Sequence, residues 1–237
     1  MLADAALDLP PCPADAALTL ARDLGLSLPV AQVLVRRGLA DVEAARAWLN
    51  ADERHPAAAF AGIDAAVQPV LDACRRGARI TVHGDYDVDG VASTAILVRA
   101  MRSIGGDIDW FLPSRTEDGY GLAAATVRRL AERGTELLLL TDCGITAVDE
   151  VALARELGLE VVVVDHHRPR PDGVLPDAPI VHPQLGGYPC PDLCAAGVAY
   201  KFAGALLVAA GHEAEITDTD LDLVGLATVA DCVPLTG

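Results

Sequence analysis

The sequence has little positive charge, few aromatic side chains and no long apolar run, and these shortages exclude several classes of protein. Arg and Lys together number 18 against 34 Asp and Glu, which gives a formal net charge of −16. This balance argues against a simple basic surface that holds nucleic acid by releasing counterions, although bound divalent cations would cancel several of the charges. No apolar run approaches the roughly 18 residues that a transmembrane helix needs, so no membrane span is predicted.

The N terminus and the cysteines indicate the compartment. Residues 1–20 contain acids and prolines and lack a basic segment, so they do not predict a secretory signal peptide. The 6 cysteines are scattered through a chain of ordinary domain size, which favours reduced thiols in a cytoplasmic protein over a disulfide framework. Cys190 and Cys194 form a C-x₃-C pair with no second pair of thiol ligands nearby, so a structural zinc is not predicted.

Apolar periodicity divides the chain into two parts. Residues 1–18 are rich in Pro and Ala without a period and predict a loosely ordered leader, and residues 28–50 predict two short helices. After residue 60, short and nearly continuous apolar strands alternate with amphipathic helices. Helices are predicted at 63–76, 91–104, 122–133, 146–157, 195–210 and 218–230, and strands at 79–83, 107–111, 136–141, 160–165 and 180–183.

This alternation predicts an α/β fold. The expected architecture is a mostly parallel, Rossmann-like sheet with helices on both faces, preceded by a small N-terminal helical segment. We place the domain boundary near residue 60, with the leader and the helical segment at 1–60 and the main domain at 61–237.

Side chains with metal-binding chemistry follow three of the predicted strands. The strand ends carry His83, Asp85, Asp87 and Asp89 in HGDYDVDG, then Asp142, and then Asp165, His166 and His167. Because the carboxyl ends of parallel strands lie on one edge of a sheet, we expect these side chains to meet in one cleft. A single acid at a strand end is commonly a helix cap, but three such strand ends favour a shared site. Asp231 ends a further apolar segment and is a candidate for the same site.

The ligand types indicate which metal such a site would hold. Carboxylates and imidazoles without paired thiolates suit Mn²⁺, Mg²⁺ or Fe²⁺. There are more ligands than one ion needs, so we predict two ions that share a bridging carboxylate, with Asp142 as the bridge. Two such ions activate a water and clamp a phosphoryl group, which predicts phosphoester hydrolysis. A nicotinamide site is disfavoured because no G-x-G-x-x-G turn follows the first strand.

The motifs at these positions resemble those of a known family. HGDYDVDG, TDCG, VVDHH and VADCVPLTG are similar to motifs one to four of the DHH phosphoesterase superfamily. PVAQVLVRRGLADVEAARAWLN, FLPSRTEDGYGL and CAAGVAYKFAGALL resemble its RecJ branch, the bacterial single-strand-specific 5′→3′ DNA exonucleases. The resemblance runs from about Leu28 to Gly237. It implies a hydrolase of DNA repair and recombination that uses Mn²⁺ or Mg²⁺, with a DHH metal-binding catalytic domain at 61–237.

The resemblance also implies a role for each residue of the cluster. His83, Asp87 and Asp142 would hold one ion, Asp89, Asp142, His166 and Asp231 would hold the other, and His167 would lie beside the scissile phosphate. Asp85 and Asp165 would orient the imidazoles or the loop, and Gly84 and Gly90 would allow the backbone to turn sharply and approach the ions.

Three residues outside these motifs are candidates for contacts with substrate. Arg115 is predicted to clamp a phosphate, its alternative being a surface salt bridge to an acid in the same loop. Tyr120 is predicted to stack on a base or, alternatively, to pack against the edge of the sheet. Lys201 is a weaker phosphate candidate, and His182 is predicted to be structural.

Two broader expectations follow from the resemblance. Complete RecJ proteins continue past motif four into a second cleft domain and an OB-type domain, so we expect this chain to be truncated there and to cut weakly alone. The resemblance further implies a monomer in the cytoplasm that acts on single-stranded DNA with a single-strand-binding protein and recombination helicases, away from membranes.

Two alternatives stay open at this point. One is another DHH phosphoesterase, acting on oligoribonucleotides or cyclic dinucleotides. The other is a non-catalytic replication accessory module of the same fold, which loss of metal ligands would mark. None of the ligands is missing from this sequence.

Overall fold

The described part of the chain falls into two units that divide at residue 55. The computed structural model describes residues 9–51, 54–116, 119, 121–213 and 218–235. One unit precedes His55 and the other runs from His55 to Leu235. The boundary that the sequence places near residue 60 stays a prediction.

The first unit is a group of three helices, α1 (Ala14–Leu24), α2 (Leu28–Arg36) and α3 (Val42–Asn50). The two helices predicted within 28–50 are present, but the prediction of a loosely ordered leader up to residue 18 is wrong for residues 14–18. Ala17 and Leu20 lie one turn apart on α1 and pack in a small core with Leu34 of α2. Burial of this apolar face stabilises α1 despite the Pro/Ala-rich composition around it.

The second unit is built on a parallel sheet, which confirms the predicted α/β fold. Its strands are β1 (Arg79–His83), β2 (Asp107–Phe111), β3 (Leu137–Thr141), β4 (Glu160–Val164) and β5 (Ile180–Val181), in the order β2-β1-β3-β4-β5. The helices are α4 (Ile63–Arg76), α5 (Val88–Ser103), α6 (Ala124–Glu132), α7 (Val148–Glu156), α8 (Ala195–Ala210) and α9 (Leu221–Ala230). Within the described ranges, none of the helices is long and apolar enough to span a membrane.

Apolar side chains cover both faces of the sheet. Along β3 every residue is buried, and successive leucines point to opposite faces. Leu137 and Leu139 belong to the core beneath α4, α5 and α8, whereas Leu138 and Leu140 belong to the core beneath α6 and α7. Strands buried on both faces read as continuous apolar runs, which is why the sequence reveals them.

The strand order creates a switch point between β1 and β3. From β1 the chain crosses to β2 on one side, and the next strand, β3, lies on the other side of β1. His83 at the end of β1 pairs in register with Leu140 of β3, one residue before Thr141 ends that strand. Ligands of doubly wound folds bind at such switch points, outside the carboxyl ends of the strands.

Helix α5 begins three residues earlier than the sequence predicts. It starts at Val88 because the side chain of Asp87 caps it, accepting a hydrogen bond from the backbone N–H of Gly90 at 3.0 Å. Asp89 therefore lies in the first helical turn and not in the loop.

Gly84 and Gly90 are needed because other atoms of the chain approach them closely, and neither adopts a left-handed conformation. Neither residue has a positive φ. A Cβ at Gly90 would lie 2.5 Å from the backbone N and O of Asp85, and one at Gly84 would lie 2.1 Å from Oγ1 of Thr94. The loop can fold back on itself only without these side-chain atoms.

The substitution Gly90→Ala should therefore destabilise the protein by about 3 kcal/mol, because the new methyl group would overlap backbone that cannot move aside. Urea unfolding followed by circular dichroism measures this. The control is Gly204→Ala on α8, where an added Cβ meets no atom within 4 Å. That variant should be neutral or more stable by up to about 1 kcal/mol. Equal stabilities for the two variants would contradict the close-approach argument.

Candidate metal centre

The ends of β1, β3 and β4, together with the end of α9, bring carboxylates and imidazoles within ligand distance of one another. Three groups have ligand atoms that all lie within 4.8 Å of each other: Asp142 with His166 and His167, Asp89 with His166 and Asp231, and Asp85 with Asp87 and Asp142. Asp142 and His166 each belong to two of the groups, so the three are contiguous.

Asp142 lies at the centre of this arrangement. Its side chain is almost fully buried, and its φ of 58° is a left-handed conformation that Asp tolerates better than most residues. Oδ1 is 3.3 Å from Nε2 of His166, while the buried Oδ2 has no hydrogen-bond partner among the described residues. Burial, followed by the charges of Asp89 and Asp87, raises the pKa of Asp142 to about 10. Ionisation of this carboxyl therefore calls for a cation beside it.

Asp165 is held as a carboxylate by hydrogen bonds. It accepts the Nδ1–H of His167 at 2.9 Å, together with the backbone N–H of Ile145 at 3.0 Å and of His166 at 2.7 Å. Burial opposes its ionisation, but these bonds outweigh burial and lower the pKa of Asp165. The same hydrogen bond raises the pKa of His167. The hydrogen bond from Nδ1 fixes the orientation of the His167 ring against Asp165.

Asp89 joins the cluster to a distant helix. Its two oxygens accept the backbone N–H groups of Ala195 and Ala196 at 2.7 Å each, so it caps the N terminus of α8. The same carboxylate lies 3.6 Å from Nε2 of His166. Burial raises the pKa of Asp89, and the two N–H groups oppose that rise. One carboxylate therefore fixes both the first turn of α8 and one side of the cluster.

His83 and Asp85 lie at the end of β1, on the same side of the site as Asp87. His83 is fully buried and is not a member of the three groups, whereas Asp85, expected only to orient other residues, offers an oxygen close to Asp87 and Asp142. Burial raises the pKa of Asp85, and a hydrogen bond from the backbone N–H of Tyr86 partly offsets this. Asp85 is thus a further oxygen donor at this end of the site.

Of the three residues predicted to contact substrate, the structure describes Arg115 and Lys201. The guanidinium carbon of Arg115 lies 4.7 Å from the centroid of the Tyr86 ring, and contact with Tyr86 followed by the charges of Asp85 and Asp87 raises the pKa of Arg115. Tyr120, and the loop acids considered as alternative partners of Arg115, lie outside the described residues. Lys201 donates to the backbone carbonyl of His55 at 2.8 Å and lines a different cavity.

His182 contributes to the site through the backbone. Its Nδ1 accepts the N–H groups of Gln184 and Leu185 at 3.2 and 3.3 Å, so Nε2 carries the proton and donates it to the carbonyl oxygen of His167 at 2.7 Å. Burial lowers the pKa of His182, which keeps this neutral form. The sequence predicts a structural residue here but gives no sign that it fixes His167.

The donor set fits one or two hard divalent cations. It consists of carboxylate oxygens with imidazole nitrogens, which suit Mn²⁺ and Mg²⁺, and it concentrates more negative charge than its own histidines neutralise. The buried and unpartnered Oδ2 of Asp142 is the clearest atom for such a cation to bind.

Comparison with known proteins places this arrangement in a family. Residues 79–228 match the model of the DHH family, N-terminal domain. The chain belongs to the DHH family. It is 37% identical over 226 residues to the single-stranded-DNA-specific exonuclease RecJ of Bacillus subtilis, covering 93% of this chain and 28% of that protein. It is 42% identical over 193 residues to RecJ of Salmonella typhimurium, covering 74% of this chain and 32% of that protein.

A solved structure shows the same similarity. The crystal structure of RecJ from Thermus thermophilus in complex with Mn²⁺ superposes with a TM-score of 0.77 at 31% identity, covering 97% of this chain and 32% of that chain. The chain thus spans about a third of the length of the relatives that it matches. The resemblance that the sequence motifs indicate is confirmed.

Without metal, the stability of the protein should fall as the pH rises, because of Asp142. Its pKa is about 3.8 in the unfolded chain and about 10 in the folded one. The stabilising effect of the bound proton is therefore complete below about pH 4 and is lost progressively toward pH 10. At pH 8 in EDTA, Asp142→Asn should be more stable than the wild type by about 5 kcal/mol, because about 1.4 kcal/mol is lost from the wild type for each pH unit above the unfolded pKa, and the difference should vanish near pH 4.

Urea unfolding at the two pH values measures this difference. The matched control is Asp149→Asn at an exposed position of α7, which should match the wild type at both pH values. A stability difference between Asp142→Asn and the wild type that is the same at both pH values would exclude a raised pKa.

The substitution Asp89→Asn should have the opposite effect on stability at pH 7. An amide in this position has only one oxygen acceptor for two buried N–H groups, so the variant should lose about 2 kcal/mol. Hydrogen exchange should show faster exchange at Ala195 and Ala196 than in the wild type. Unchanged protection of these two amides would contradict the assignment of Asp89 as the cap of α8.

Proposed function

We propose that this chain carries the catalytic centre of a metal-dependent phosphodiesterase that degrades single-stranded DNA from its 5′ end. The observation that carries the proposal is the convergence of three acidic strand ends on Asp142 and His166. Similarity to relatives named single-stranded-DNA-specific exonuclease, and to a RecJ solved with Mn²⁺, supports the substrate and the metal.

We assign two cation sites to the cluster. His83, Asp87 and Asp142 would hold one ion, and Asp89, Asp142, His166 and Asp231 would hold the other, with Asp142 shared. Bound Mn²⁺ or Mg²⁺ would supply an activated water and neutralise the charge that develops on the phosphate. Asp85 lies close enough to the first site to strengthen its negative field.

His167 is assigned to proton transfer or hydrogen bonding at the phosphate. Asp165 holds its Nδ1–H, and the raised pKa favours the imidazolium form. The ring can then give a proton or a hydrogen bond to a phosphate oxygen or to the leaving oxygen through Nε2. His167 and Asp165 also line a cavity of about 230 Å³ with Gly144 and Thr146, which offers room beside the phosphate for part of a nucleotide.

Binding of DNA to so acidic a chain depends on a few local cations. Arg115, held over Tyr86 beside the HGDYDVDG loop, is the residue that we assign to a DNA phosphate. Tyr120 in the same loop is assigned to stacking on a base. Cations in the cluster would further reduce the repulsion between the strand and the carboxylates.

The remaining assignments rest on the resemblance to RecJ. We propose that the protein works as a monomer in the bacterial cytoplasm and that a single-strand-binding protein and recombination helicases are its partners. The presence of every predicted ligand disfavours a non-catalytic module of the same fold.

Metal binding and cleavage provide separate tests of this function. Adding Mn²⁺ at about 100 times its Kd should stabilise the chain by about 2.7 kcal/mol for each site that it fills, and Asp142→Asn should lose most of this gain. With Mn²⁺, the chain should shorten single-stranded DNA labelled at either end, release the 5′ label first, and leave blunt duplex intact. Asp142→Asn should reduce the rate by at least about 100-fold.

Asp149→Asn is again the matched control and should keep both metal binding and cleavage. Cleavage of single strands by Asp142→Asn at the wild-type rate would overturn the proposed centre. Preferential cleavage of oligoribonucleotides or cyclic dinucleotides would keep the centre and replace the substrate.

A further inference from the structure

Cys143 links the end of β3 to His83 at the end of β1. Its side chain is buried, and Sγ lies 3.5 Å from Nδ1 of His83 and 3.8 Å from the backbone carbonyl oxygen of the same residue. The imidazole is fully buried, with the ring of Phe111 centred 5.3 Å away. The sulfur therefore contacts both Nδ1 and the backbone carbonyl oxygen of His83.

These two contacts bear on which ring nitrogen of His83 carries the proton. A thiol has one proton, and here Sγ is placed to donate it to the carbonyl oxygen of His83. With the thiol proton on the carbonyl, Sγ accepts at Nδ1, and Nδ1 then carries a hydrogen. The neutral ring consequently has its lone pair on Nε2, the nitrogen that would bind a cation.

We propose that Cys143 is a positioning residue that holds His83 in the Nδ1–H tautomer and in the orientation for metal binding through Nε2. The inference rests on the proposed function, because it concerns the His83 side of that cation site. Partners of this kind fix the tautomer and the ring orientation of metal-binding histidines.

The surroundings explain why a thiol suits this position. Cys143 belongs to the apolar core beneath α6 and α7, together with Leu140 and Val163. A sulfur atom packs among these side chains and still acts as a weak donor and acceptor. Alanine would keep the apolar contact but would leave Nδ1 of His83 without this partner.

The tautomer can be read in the metal-free protein by ¹⁵N NMR of histidine side chains at pH 8. Wild-type His83 should show a protonated Nδ1 and an unprotonated Nε2. Cys143→Ser keeps a donor and acceptor and should preserve this pattern, whereas Cys143→Ala should shift His83 toward the Nε2–H form. Cys74→Ala, which truncates another buried cysteine in a different core, is the control and should leave the pattern unchanged.

Calorimetry with Mn²⁺ alone gives the second readout. Cys143→Ala should weaken one of the two binding events about 10- to 100-fold and leave the other unchanged. Cys143→Ser and Cys74→Ala should bind both ions within about 3-fold of the wild type. This change is well below the loss expected when Nδ1 of His83 has no side chain at position 143 to bond with. If Cys143→Ala does not fold, the wild-type and serine spectra decide the tautomer.

Three results would overturn the inference: an Nε2–H tautomer of His83 in the wild type, loss of the Nδ1–H form in Cys143→Ser, or wild-type Mn²⁺ binding by folded Cys143→Ala. A wild type that has the Nδ1–H tautomer and binds no Mn²⁺ would instead overturn the proposed metal centre. The two failures are therefore distinguishable.

Discussion

Repulsion among buried carboxylates is the constraint on which the rest of this site depends. Asp85, Asp89, Asp142 and Asp165 are each at most 2% exposed and lie at neighbouring strand and helix ends. Burying an ionised carboxylate without a partner costs far more than a surface salt bridge returns. In this fold, hydrogen-bond donors stabilise some of these carboxylates, and the others need a bound cation to neutralise their charge.

The two solutions differ from residue to residue. Asp165 receives an imidazole N–H and backbone N–H groups and stays ionised, while Asp89 receives the first N–H groups of α8. Asp142 has a strained backbone, and its Oδ2 has no partner within the described ranges. At Asp142, the features that favour binding of a cation therefore lower the stability of the metal-free protein. Backbone strain of this kind is typical of functional sites.

The acidic character of the chain fits the proposed metal-dependent mode of binding DNA. A net charge of −16 argues against a broad basic surface on this chain, so the proposed attraction to phosphate would be local. Cations in the cluster and the guanidinium of Arg115 would place positive charge where the phosphate lies and leave the remaining surface acidic. Under the proposed function, the metal centre would also help to hold the strand.

The sequence alone determined the parallel α/β fold and the convergence of three acidic strand ends, because strand periodicity is local and parallel strands share one edge. The sequence did not predict α1, because that helix is stabilised by burial of its apolar face and not by its composition. The predicted start of α5 was too late, because its capping residue, Asp87, lies within a run of acidic residues. Only the tertiary structure decided that Asp89 caps α8, about a hundred residues further along the chain, and that Cys143 meets His83. Such contacts arise from the packing of whole elements against one another, which no local pattern of residues encodes.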